Sequence, residues 1–269
     1  MRQIDSSRNQ IQARSQQIPS IVNKQSRVAI ILMVSLASLL LVSNSFAMSA
    51  AQQNQHVLEH SLKSQGLYAN KQLQDKQFNK ALAAFKRGEN YLAKRLLLSL
   101  AQQQYTGAEF YMGMIYDIGQ GVAKSPAKAV HWYQRAAQKG YHPAQHNLAV
   151  AYANGEGVKQ DLKKALRWWR RAARQGNTDS QYNLGIVYAT GNELVKRDLL
   201  KAEKWWRKAA INGDAMAQYN LGALYANGEK KVTSYCEAIR WWQESARSGM
   251  SQAMDAIEVI KQRPDYNPC

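Results

Sequence analysis

Acidic residues are scarce in this chain of 269 residues, with 19 Asp and Glu against 36 Lys and Arg, a net charge of +17. The first 47 residues hold five of the bases and one acid, so the remainder keeps 31 against 18, a charge of +13. The bulk of the protein is therefore basic in its own right, which favours anionic partners or surfaces over acidic-tail functions. Cysteine is nearly absent: Cys236 and Cys269 are the only two, which leaves room for at most one intramolecular disulfide. The hydrolase signatures are also missing, since there is no Gly-x-Ser-x-Gly elbow and no pair of carboxylates standing apart from a repeated background. The only long uncharged apolar run, Val28 to Val42, has 15 residues, short of the roughly 20 that a membrane-spanning helix requires.

That run has a position and flanks of its own. Lys24 and Arg27 precede it, and Ser45-Phe46-Ala47 follows, with small residues placed as at a cleavage site. This is the three-part layout of a secretory signal and predicts cleavage after Ala47, leaving a periplasmic or secreted protein. The 27 residues before the run are long for a signal, and no charge follows Val28 until Glu59, so an uncleaved inner-membrane anchor with a periplasmic domain is the alternative. In both cases the basic flank stays inside and the rest of the chain is exported. Residues 48–74, rich in Gln, Asn and Ser, read as a polar spacer or a weak helix.

Beyond the spacer the text repeats. Gly140, Gly176, Gly213 and Gly249 are 36, 37 and 36 residues apart and close four similar units, 107–142, 143–178, 179–214 and 215–250. In the second unit, Pro143 suits the first turn of a helix that runs to about Asn154, where Gly155 stops it. Asp161 is positioned to cap a second helix running to about Gln175. Ala144, Leu148 and Tyr152 share one face of the first helix; Ala165, Trp169, Ala172 and Ala173 share one face of the second. All seven tryptophans fall at one paired place in the second helices (Trp132, Trp168, Trp169, Trp205, Trp206, Trp241 and Trp242), where core packing is the reading to expect. A single helix pair cannot bury these faces, but stacked pairs can. The expectation is an all-α fold, an α-solenoid of stacked antiparallel helix pairs over 75–263. Its N-terminal end would be a degenerate pair, 77–104, and its C-terminal end a closing helix, 251–263, followed by the tail 264–269.

The pattern A-Q-x-N-L-G-x-x-Y-x-x-G followed by D-x-x-K-A-x-x-W-x-x-x-A-A-x-x-G resembles the Sel-1-like repeat, a relative of the tetratricopeptide repeat. The resemblance covers the four units from Gly107 to Met250. It implies a right-handed superhelix of helix pairs and a role as a protein-interaction adaptor, and exported bacterial members suggest envelope assembly or host contact. It transfers no catalytic residues and no cofactor. The third unit departs by one extra residue in Gly191-Asn-Glu-Leu-Val195, and the fourth lacks the usual Asp before its second helix. Cysteine-rich relatives carry a disulfide in each repeat, which this chain does not. Cys236 and Cys269 either pair with each other, tying the tail to the last repeat, or stay as thiols.

Two faces remain for partners. On the first helices, Phe110, His146, Tyr182 and Tyr219 form a ladder with Met114, Val150 and Ile186, and with Asn154, Thr190 and Asn227 at its edge. Such a second apolar face either packs against neighbouring repeats or forms a concave strip for a peptide or protein partner. On the second helices, Lys163, Arg167, Arg170, Arg171 and Arg174, then Lys204, Arg207 and Lys208, form a basic convex stripe. It is either a solvated face or a site for an anionic envelope component such as a glycan or lipid. Nucleic acid is disfavoured by export. The pair His56 and His60 with Glu59 has the spacing of an inverted zinc-protease helix, but it lacks a third ligand and a docking face, so no metal site is expected. His142 and His146, four apart, straddle the Gly140–Pro143 turn, so a shared helical face is not expected. A non-enzymatic scaffold is thus the leading reading, an envelope- or glycan-binding structural protein the alternative, and a hydrolase the remote one.

Overall fold

The computed structural model describes residues 63–227 and 234–267, together with Leu58 and Ser61. The apolar run, the His56–Glu59–His60 triplet and Cys269 lie outside the described residues. The chain divides into two units, 1–71 and 72–269. The described part of the first, 63–71, is helical and exposed.

The second unit is built from helices, and among the described residues it has no strand. They are α1 (72–86), α2 (Asn90–Gln102), α3 (Thr106–Ile118), α4 (Pro126–Gln138), α5 (His142–Asn154), α6 (Leu162–Arg174), α7 (Thr178–Thr190), α8 (Leu199–Ile211), α9 (Ala215–Ala226), α10 (Tyr235–Arg247) and α11 (Gln252–Lys261). None of the described helices is long and apolar enough to cross a membrane. Local chemistry sets the ends. Gly155 closes α5 in the left-handed conformation, φ 76°, where a side chain would be strained. Asp161 and Asp198 cap α6 and α8 by accepting the backbone N–H of Lys164 at 2.9 Å and of Lys201 at 3.0 Å. In the fourth repeat, which lacks that Asp, Ser234 takes the place and caps α10 through the N–H of Glu237. The extra residue of the third repeat is absorbed in a turn where Asn192 Oδ1 accepts the N–H groups of Leu194 and Val195, and Val195 is drawn into the core.

The tryptophan pair divides its work between two interfaces. The inner position (Tyr133, Trp169, Trp206 and Trp242) is buried in a cluster shared by its own helix and the first helix that follows. It lies over a small residue of the preceding helix, and a Cβ added at Gly185 would overlap the Trp206 ring. Ala149 holds the same place beneath Trp169. The outer position reaches back one repeat. Trp132 packs on the core of α2 and α3, Trp168 on that of α4, Trp205 on that of α6 and Trp241 on that of α8. Successive second helices are thereby held side by side.

A buried polar ladder fixes the stacking register. Gln145 donates to the carbonyl of Ala137, Gln181 to that of Ala173 and Gln218 to that of Ala210, at 3.2, 3.1 and 3.0 Å. Each bond ties the start of a first helix to the end of the second helix before it. The first repeat carries Glu109 at this place, fully buried. Its carboxylate accepts from Arg135 Nε at 3.0 Å and Lys139 Nζ at 2.9 Å, while Arg135 also donates to the carbonyl of Ala101. A buried carboxylate needs such partners, because an uncompensated charge in the interior costs several kcal/mol.

Candidate functional site

The first helices of the four repeats are α3, α5, α7 and α9, and their shared side is where a ladder of apolar positions was expected. Most of that ladder is used in stacking. Phe110 is not available to a ligand: it is 9% exposed, with ring centroids 5.3, 5.8 and 5.2 Å from Tyr111, Tyr133 and Tyr141. Met114 packs on the same core. Tyr182 and Ile186 pack against the cluster of α8 and α9. Tyr219 meets the Trp242 ring, and its backbone carbonyl accepts from Trp242 Nε1 at 3.1 Å. The physical reason is that each repeat must bury two faces of its first helix, and the next repeat supplies the cover.

Among the described residues this side opens into a cleft at two places, each of about 170 Å³. The first lies among α3, α4 and α5 and is lined by Asp117, Tyr133, His146, Asn147, Val150 and Glu156, with Pro126, Ala129, Val130 and Ala151 completing its wall. The second lies among α7, α8 and α9 and is lined by Ala189, Arg197, Leu199, Trp206, Asn220, Ala223, Leu224 and Asn227. They occupy equivalent places two repeats apart: Asn147 answers to Asn220, Val150 to Ala223 and Tyr133 to Trp206. Of the residues expected on the strip, His146, Val150 and Asn227 line these clefts. Asn154 and Thr190 are exposed at the edge, where Asn154 donates to Glu156 and Thr190 to the Ile186 carbonyl. Asn147, Asn220, Asp117, Glu156 and Arg197 were not singled out from the sequence. The recurring Asn of the N-L-G pattern was the available signal, and it reads equally well as a structural consensus.

The first cleft has a defined proton inventory. Tyr133 donates its hydroxyl to Asp117 at 3.1 Å, and burial, then the nearby Asp117 charge, hold the phenol protonated far above its usual range. His146 Nδ1 lies 2.9 Å from Ser180 Oγ on α7. Burial depresses the His146 pKa below its ordinary 6.5, and Asp179 opposes this only in part. The folded protein therefore holds a neutral imidazole where the unfolded chain would take up a proton. As pH falls through 6.5 the unfolded state binds the extra proton first, so stability is expected to fall toward acid, and to be unaffected by this group above it. His146→Gln should flatten this part of the pH dependence, as read by thermal melts between about pH 5 and 8.

α5 starts at His142, not after it, because Tyr141 is extended at the N-cap and Pro143 follows at a position that tolerates it. His142 and His146 thus share a helix, contrary to the expectation of a turn between them. They do not share a ligand, since His142 stacks on Tyr141 and His146 faces Ser180. Among the described residues no group of three His, Cys, Asp or Glu side chains is placed to hold a metal ion. Cys236 in α10 is disulfide-bonded, the first of the two alternatives; the other cysteine of the chain, Cys269, is outside the described residues.

The outer face of the second helices sorts the basic stripe into three groups. Arg170 and Arg207 are held by the next repeat, through the hydroxyls of Tyr188 at 3.4 Å and Tyr225 at 2.6 Å. Arg171 and Lys208 lie 4.8 Å above the Trp168 and Trp205 rings. Lys163, Arg167, Arg174 and Lys204 are exposed, and none forms an ion pair with a described residue.

Stacked helix pairs of 36 to 37 residues, joined by tryptophans and a glutamine ladder, define an α-solenoid of the tetratricopeptide-like class. The Sel1 repeat family model matches residues 106–141, 142–177, 178–214 and 215–250, more than half of the chain, so the protein belongs to the Sel1 repeat family. These units begin within one residue of those read from the glycine spacing. The chain is similar to a Sel1 repeat protein from Oxalobacter formigenes, with 28% identity and a TM-score of 0.65 over 68% of this chain and 74% of that one. It is also similar to c5321, described as a protective antigen present in uropathogenic Escherichia coli strains displaying an SLR fold, with 30% identity and a TM-score of 0.60. That match covers 65% of this chain and 38% of the longer protein. No curated protein matches the chain. Sel1 repeat proteins are in general non-enzymatic helical scaffolds that mediate protein–protein interaction.

Proposed function

We propose that this chain is an exported, non-enzymatic scaffold that holds an extended segment of a partner protein along the side formed by α3, α5, α7 and α9. The observation that carries the reading is the pair of equivalent clefts on that side, each offering an asparagine beside apolar walls. An extended chain laid across them would place side chains in the clefts and present its backbone amides to Asn147 and Asn220. The rigid, pre-stacked helices lower the cost of ordering the site. Export is supported by Lys24 and Arg27, the apolar run and Ser45-Phe46-Ala47.

Selection of peptides from a random library on the immobilised full chain tests this. Glu156 and Asn227 are exposed at the two clefts, so Glu156→Arg with Asn227→Arg fills both without touching the core. Selected peptides are expected to lose about tenfold or more in affinity for that variant at unchanged melting temperature. Equal affinity for both proteins would remove the clefts from the function. Truncating Tyr182 and Tyr219 is the poorer test, because both side chains hold repeats together.

A further inference from the structure

The outer faces of α6 and α8 combine two properties that water alone does not explain. At about 100° per residue, Lys163, Arg167, Arg170, Arg171 and Arg174 fall within about 100° of arc on α6. Leu200, Lys204, Arg207, Lys208 and Ile211 hold the same helix positions on α8. The opposite sides, with Ala165 and Ala172 on α6 and Ala202 and Ala209 on α8, are buried. Trp205 of α8 packs into the α6 core, so the two outer faces adjoin.

The first property is unpaired positive charge at Lys163, Arg167, Arg174 and Lys204. The flanking helices dilute it: α4 offers Ala127, His131, Gln134, Arg135 and Gln138 at these positions, and on α10 Arg240 pairs with Glu237 at 3.6 Å. The second is exposed aliphatic surface inside the same field. Leu200 is 70% and Ile211 73% exposed, four residues before and seven after Lys204. A soluble polyanion would neutralise the charge but gain nothing from Leu200 and Ile211. An anionic lipid surface uses both, because headgroups meet the cations while aliphatic side chains leave water at the acyl boundary.

We propose that the α6–α8 outer face docks on an anionic phospholipid surface, with Lys163, Arg167, Arg174 and Lys204 on the headgroups and Leu200 and Ile211 entering the layer beneath. It does not depend on the clefts: the residues of α8 that line the second cleft, Leu199 and Trp206, are not among those that meet the lipid.

Co-sedimentation of the full chain with vesicles of phosphatidylcholine alone, and of phosphatidylcholine with one quarter phosphatidylglycerol, tests the proposal. The readout is the ratio of the two partition coefficients, compared between variants, because the leader with its apolar run and basic flank is common to all of them. The wild-type ratio is expected to be about tenfold or more. Arg167→Glu with Lys204→Glu should lower it several-fold, whereas Lys76→Glu with Lys80→Glu, exposed on α1, should leave it unchanged. Leu200→Ser with Ile211→Ser should weaken binding to the anionic vesicles several-fold and leave binding to soluble polyaspartate unaltered. Three results would overturn the proposal: a wild-type ratio near one, an equal loss from the α1 reversal, or Leu200→Ser with Ile211→Ser sedimenting like wild type. The last would make the face a site for an acidic macromolecule instead of a bilayer.

Discussion

Replacing Arg135 and Lys139 together by methionine is expected to destabilise the first repeats by about 3–5 kcal/mol, and adding Glu109→Gln to restore most of the loss. Both cations converge on a carboxylate that has no access to water, whereas they are themselves about one-third exposed. Removing them strands a buried charge; removing the charge as well does not. Glutamine is the natural replacement, since Gln145, Gln181 and Gln218 stand at the equivalent place and donate to a carbonyl of the preceding helix. In the Glu109→Gln variant the introduced amide would find the Ala101 carbonyl in the same position. Glu109→Gln alone should therefore cost no more than about 1 kcal/mol, because the freed cations regain hydration. Urea titrations of the three variants, followed by amide exchange in α2 to α4, measure this. A triple variant no more stable than the double would show that the carboxylate is not what the two cations serve.

Trp206→Ala is expected to cost about 3–5 kcal/mol, the range for deleting a buried tryptophan. The neighbouring Trp205→Ala, half-buried, should cost clearly less. The loss would also have a distinctive form. In a solenoid each repeat contacts its neighbours only, so stability is a sum of repeat and interface contributions. Trp206 sits among Ala202, Ala209 and Ala210 of its own helix and Ala217 and Leu221 of the next repeat. Cutting that junction should separate α9 to α11 from the rest, and a single unfolding transition should become two. Circular dichroism against urea would show it. One unbroken transition at the wild-type midpoint would mean that the pair interface is carried elsewhere.

The period was legible because tryptophan, alanine and glycine must recur wherever one repeat meets the next. Helix ends were legible for the same reason, through Asp161 and Gly155. The division of labour within each tryptophan pair was not, since both rings satisfy an apolar period and only the stacking direction separates them. Phe110 and Tyr182 were ambiguous on similar grounds. An apolar residue opposite the core face meets either a ligand or the next repeat, and helical phase is the same in both cases. Glu109 and the glutamine ladder went unread because a polar residue near a helix start suggests solvent, while here it closes a buried carbonyl. Arg170 and Arg207 looked equivalent to Arg167, yet each reaches a tyrosine 18 residues further along the chain. That contact exists only once the following repeat has folded against it. The clefts likewise arise from three helices of two repeats, and no single stretch of sequence contains one.

If partners are held on the side of α3, α5, α7 and α9, a bound peptide lies within reach of both clefts. Photo-crosslinking a library-selected peptide, carrying a benzophenone at successive positions, and sequencing the adducts tests it directly. Adducts are predicted at Asn147, Val150, Asn220 and Ala223, with neighbouring peptide positions labelling the two clefts in order. Adducts confined to the outer face of α6 and α8, with the clefts unlabelled, would contradict it.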